Sequence, residues 1–154
     1  MNTKISFEVL SWLFAIIFAA LFVLPIYVKC GTNYTFYIEN IVSIILFVTL
    51  TRLLFLFSYT PYCRSKWLRM VLIFLPIPFL MYQIGNLYDF QKLVDEEGTI
   101  SFFKDSFEIS DYNFARYIKY QFLFFCVGSI VTLVLLPVRM IVSFWRTINT
   151  KDKV

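Results

Sequence analysis

From Val9 to Val28 the chain runs for twenty residues without a charged side chain, and it does so again for nineteen at Met70–Tyr88 and nineteen at Tyr120–Val138. A helix rises about 1.5 Å per residue, so about twenty apolar residues match the hydrocarbon core of a bilayer. A fourth stretch, Phe36 to Thr60, reaches that length only if it carries Arg52 inside it. The uncharged pieces on either side, Asn40–Thr51 and Leu53–Cys63, hold twelve and eleven residues, too few to cross alone. The pattern predicts an all-α polytopic membrane protein, a single membrane domain over residues 1–154. Four transmembrane helices are expected at about 9–28, 36–60, 70–88 and 120–138, with an extracytoplasmic loop at about 89–119. Composition agrees: 60% of residues are hydrophobic and 16% charged, against about 45–50% and about 25% in soluble domains.

The prolines punctuate these runs. Pro25 falls in the last turns of the first, and Pro61 ends the second. Pro76 and Pro78 lie in the middle of the third, where each removes a backbone donor and crowds the preceding turn, so a kink is expected there. Pro137 is expected to separate the fourth run from a short amphipathic tail, Met140–Thr147. The first run is long for a signal peptide and has no A-x-A site after it, and Lys29 before Cys30 spoils a lipoprotein box, so it reads as a retained anchor. In the loop, Asp89–Glu97 reads as a short helix closed by Gly98. Ser101–Ile109, with Phe102, Phe103 and Phe107 among charges, reads as a segment lying on the membrane surface, and Asp111 as the cap of the last helix.

Lysines and arginines follow cytoplasmic segments. With four spans, one side carries Lys4, Arg64, Lys66, Arg69, Arg139, Arg146, Lys151 and Lys153, eight bases; the other carries five, Lys29, Lys92, Lys104, Arg116 and Lys119. The loop on that second side is also acidic, with Asp89, Asp95, Glu96, Glu97, Asp105, Glu108 and Asp111. Both termini are therefore expected in the cytoplasm.

Several chemistries lose their usual residues. There is no histidine, the commonest general base and metal ligand. Neither GxGxxG nor GxxxxGK[ST] occurs, so no phosphate-cradling loop is indicated. Cys30, Cys63 and Cys126 stand singly, without CxxC spacing. No cofactor, no metal and no catalytic group is expected, and the net charge of +4 reads as cytoplasmic loop charge, not as nucleic-acid binding.

Arg52 is the one charge inside a span. A charge at bilayer depth costs about 2.5–3.5 kcal/mol on insertion scales and is often functional, but arginine also snorkels toward the interface. Glu8, at the start of the first span, is within reach and is the expected partner. A second set gathers at span ends on the other side: Glu39, Asn40, Gln83, Asn86, Lys119 and Gln121. These side chains either line a shallow polar vestibule or hydrogen-bond the helices together. Ala15 and Ala19, and Gly128 and Thr132, have the small-xxx-small spacing of close-packed helices. Tyr27, Tyr34, Tyr37, Trp67, Tyr88, Tyr117, Tyr120 and Trp145 fall near span ends and read as an aromatic belt.

The expected function is a small non-catalytic integral membrane subunit that packs against larger partners in a membrane or envelope complex, its other partner being the lipid bilayer. The alternatives are a small ion or solute transporter or channel component, suggested by Arg52 and the double proline, and a membrane-embedded immunity or inhibitor protein. Richness in Phe, Ile and Lys suits an AT-rich genome and a bacterial cytoplasmic (inner) membrane.

Overall fold

A computed structural model describes residues 3–60, 66–103 and 109–149. Five α-helices make up most of it: α1 (Thr3–Cys30), α2 (Tyr37–Phe55), α3 (Lys66–Phe74), α4 (Pro76–Glu96) and α5 (Ile109–Asn149). Four stretches are long and apolar enough to cross a membrane: Ile5–Asn33, Tyr37–Phe55, Trp67–Glu96 and Asp111–Arg146. This is compatible with a polytopic membrane protein. The third stretch is built from two helices, α3 and α4, divided at Leu75. Pro76 and Pro78 fall in the first turn of α4, where a proline's missing N–H costs nothing.

The helix α5 is the hub. It packs most closely on α2, then on α4 and α3, while the main neighbour of α1 is α2. Its 41 residues span about 60 Å, about twice the hydrocarbon thickness of a bilayer. The sequence expectation of a break at Pro137 is corrected here. Pro137 lies inside α5, which continues unbroken to Asn149. Asp111 is likewise in the first turn of α5 and not its cap.

The second span is shorter than expected. α2 stops at Phe55, and Leu56, whose N–H bonds to the Arg52 carbonyl at 2.7 Å, leads into a 3-10 turn at Phe57–Tyr59. Arg52 therefore sits in the last turn of α2, where a cation complements the helix dipole. From α5, Arg139 Nε donates to the Leu54 carbonyl at 3.3 Å, satisfying one of the α2 terminal acceptors.

The core is layered along the bundle. At the loop end it is aromatic: Phe90 stacks on Phe122 with ring centroids 4.0 Å apart, Phe102 also stacks on Phe90, and Tyr34 meets Phe102 edge-on. Midway, Phe18 and Phe22 of α1 meet Phe125 of α5. The Arg52 end is aliphatic, with Leu50, Leu53, Leu133, Leu136 and Met140 around Phe57. Two expectations change. Phe102 is a buried core ring in the 3-10 turn Thr99–Phe102, not a membrane-surface anchor. Tyr34 is 1% exposed and belongs to the core, whereas Tyr27, Trp67, Tyr88, Tyr120 and Trp145 are exposed as belt residues are. Phe107, Cys63 and Pro61 lie outside the described residues.

The α2–α5 seam is tight at Gly128. A methyl group there would come within 2.8 Å of the Phe47 ring. Any larger side chain there would press on that ring. Ala15 and Ala19 are buried on α1, as their spacing suggests.

Candidate functional site

Polar side chains concentrate at two places in the bundle. At the Arg52 end, α1 and α2 bring Glu8 and Arg52 into a two-pronged ion pair. Arg52 Nη1 donates to Glu8 Oε2 and Nη2 to Oε1, each at 2.7 Å. The side chains are 8% and 12% exposed. Glu8 also accepts from Trp12 Nε1, one turn along α1, at 3.2 Å. Fork-to-fork geometry of this kind gives the strongest and most directional hydrogen bonds available to an ion pair. It neutralises Arg52 where an isolated charge would be costly. Arg52 Nε is buried with no hydrogen-bond partner among the described residues.

The second place is the α2–α4–α5 junction. Asn40 of α2 and Gln121 of α5 exchange two amide bonds, Nδ2 to Oε1 and Nε2 to Oδ1, both at 3.0 Å. One helical turn deeper, Ser43 Oγ lies 2.7 Å from the Glu39 carbonyl of its own helix and 3.1 Å from the Gln83 Oε1 of α4, its single proton serving one or the other, and Gln83 Oε1 accepts from Asn86 Nδ2 at 3.3 Å. Cys126 of α5 lies against the same residue, its Sγ 3.5 Å from the Gln83 carbonyl. Asn40, Ser43 and Gln83 are fully buried, and Asn86 and Gln121 nearly so. The amides are thus enclosed between helices: the Asn40–Gln121 bonds tie α2 to α5, the Ser43–Gln83 contact joins α2 to α4, and the Asn86–Gln83 bond lies within α4. They do not open into a vestibule.

Of the residues expected in this second set, Asn40, Gln83, Asn86 and Gln121 come together. Glu39 stands beside them and is half-buried, with one carboxylate oxygen, Oε2, buried and without a hydrogen-bond partner among the described residues. Lys119 is elsewhere, facing the end of α4. Pro76 and Pro78 are too far along α4 to join either group: Pro76 is buried and Pro78 exposed. Ser43 and Cys126 are the members that sequence reading missed. Ser43 lies one turn after Asn40, and Cys126 lies five residues past Gln121, a spacing that gives no hint of contact before the helices are docked.

A further pair was not anticipated. Lys29, at the end of α1, reaches Asp111 in the first turn of α5 at 3.2 Å. Its ammonium also lies 5.6 Å from the centre of the Phe114 ring. α1 is therefore held by an ion pair near each end, to α2 at one and to α5 at the other. Between Lys29 and the start of α2, burial pushes the Tyr34 phenol far above its usual ionisation range, with Glu39 adding to the effect.

Comparison with models of known families finds no match, nor does comparison with curated proteins or with solved structures.

Proposed function

We propose that the protein is a small non-catalytic integral membrane subunit, built to pack against larger partners in a membrane or envelope complex. The observation that carries the reading is how the buried polar groups are used. Asn40 bonds twice to Gln121 and Ser43 meets Gln83, linking α2 to α5 and to α4, and the buried Arg52 cation is matched by Glu8. Groups tied up in this way hold a bundle in one arrangement, which suits a fixed scaffold better than a moving carrier. In this reading both termini are cytoplasmic, the third span is kinked at Pro76 and Pro78, and the membrane is a bacterial inner membrane.

α1 supports the same reading. Its main neighbour is α2, and Leu13, Ile17, Leu21 and Val28 are exposed. Beside it runs an apolar groove of about 790 Å3 between α1 and α2, with Phe14, Phe47 and Phe55 among its walls. A photo-crosslinking amino acid at Ile17, and separately at Met81 on α4, tests this in native membranes. A single larger protein captured in defined stoichiometry from Ile17 supports the subunit reading. Adducts only with lipid or with a second copy, together with stabilisation by an added ion or solute, would replace it with the transporter reading.

A further inference from the structure

Where α4 ends and α5 begins, two shallow basins share a wall. One, of about 500 Å3, is lined by Arg116, Lys119, Tyr112 and Thr99. The other, of about 250 Å3, is lined by Lys119 again, with Asp95, Gln91 and Leu123. Among the described residues no ion pair engages Arg116, Lys119 or Asp95, although one turn from Asp95 Lys92 pairs with Glu96 at 4.0 Å. The Arg116 guanidinium lies 5.9 Å from the centre of the Tyr120 ring. Among the described residues, two cations outside any ion pair stand on successive turns of α5 and line one basin, and one of them, Lys119, lines the adjoining basin together with the Asp95 carboxylate.

We propose that the joined basins bind an aminoalkyl phosphodiester, a singly charged phosphate and a primary ammonium on one short linker, the headgroup chemistry of a zwitterionic phospholipid. Charge decides the class. A simple polyanion would meet Asp95, Glu96 and Glu97, as well as the negative end of the α4 dipole. A simple cation would meet Arg116 and Lys119. A ligand carrying both charges matches both basins. Guanidinium offers paired donors to phosphate oxygens, Lys119 adds a second charge, and the hydroxyls of Tyr112 and Thr99 supply further donors. Asp95 and Gln91 supply acceptors for the ammonium. Placement adds to this. Tyr120 opens the long uncharged run of α5, and Leu123, Phe124 and Val127 follow it at helical spacing, the last two exposed. That stripe gives acyl chains an apolar surface directly below the headgroup.

The full chain, in micelles containing equal amounts of phosphatidylethanolamine and phosphatidylglycerol with matched acyl chains, is examined by native mass spectrometry. The wild type is expected to retain phosphatidylethanolamine about tenfold over phosphatidylglycerol. R116Q/K119Q loses that retention, K119R keeps it, and D95N retains the two lipids equally, with helix content by circular dichroism unchanged in every variant. Soluble glycerophosphoethanolamine, which carries the same singly charged phosphodiester, distinguishes the sources. Displacement of the lipid at comparable concentration marks a free metabolite as the ligand, and failure to displace marks the membrane lipid; either supports the site. Equal retention of both lipids by the wild type, or retention indifferent to all three substitutions, overturns it.

Discussion

Removing the charge of Glu8 tests the organisation of the α1–α2 seam most directly. Glu8→Gln keeps the shape of the side chain and one acceptor but leaves the Arg52 guanidinium, 8% exposed, without a counter-charge. Breaking a buried pair from one side costs about 3–5 kcal/mol in soluble proteins. Arg52 is in the last turn of α2, so its side chain relaxes toward the interface, and about 2–3 kcal/mol is the expected loss. Arg52→Gln alone strands the Glu8 carboxylate and is expected to cost a similar amount. E8Q/R52Q strands neither charge and retains an amide–amide contact, so its cost is expected to fall about 1–2 kcal/mol short of the sum of the singles. The assay is equilibrium unfolding in mixed micelles with increasing dodecyl sulfate, followed by far-ultraviolet circular dichroism. Fluorescence gives a local signal, because Trp12 Nε1 donates to Glu8. Additivity within about 0.5 kcal/mol would falsify the coupling and leave Arg52 as a cation that finds water by itself.

Three further outcomes follow from the packing. Gly128→Ala drives a methyl group to within 2.8 Å of the Phe47 ring and is expected to destabilise by about 1–3 kcal/mol; F47L should recover much of that, and a neutral G128A would mean the α2–α5 seam is looser than described. Asn40→Leu or Gln121→Leu leaves a buried amide without its reciprocal partner and should cost about 1–3 kcal/mol, while N40L/Q121L together should come close to wild type, read in the same micelle titration. The raised ionisation of Tyr34 is fully consistent with stability below about pH 10, the usual tyrosine value. Above it the unfolded chain loses a proton that the folded chain keeps, so stability should fall as pH rises, and Tyr34→Phe should flatten that fall.

The spans were largely legible in one dimension because a bilayer imposes a length and forbids most charges, and both constraints are counted along the chain. The same counting singled out Arg52 and put Glu8 near it, since both sit close to the same end of adjoining spans. Helix ends were less legible. α2 ends at Phe55 because Leu56 turns the backbone out of the helix, and α5 passes through Pro137; neither leaves a clear trace in local composition. Tyr34 and Phe102 were misread for a related reason. Aromatic residues beside a span serve equally as interface anchors or as core, and only the folding of the loop back onto Phe90 and Phe122 places them inside.

The sequence by itself determined that this chain forms apolar helices of membrane-spanning length, and that one of them carries an arginine. Tertiary structure decided which polar groups meet. Asn40 and Gln121 are 81 residues apart, Ser43 and Gln83 are 40 apart, and Lys29 and Asp111 are 82 apart. Helical periodicity fixes the face on which each stands, but only the docking of α2, α4 and α1 around α5 fixes which faces are shared.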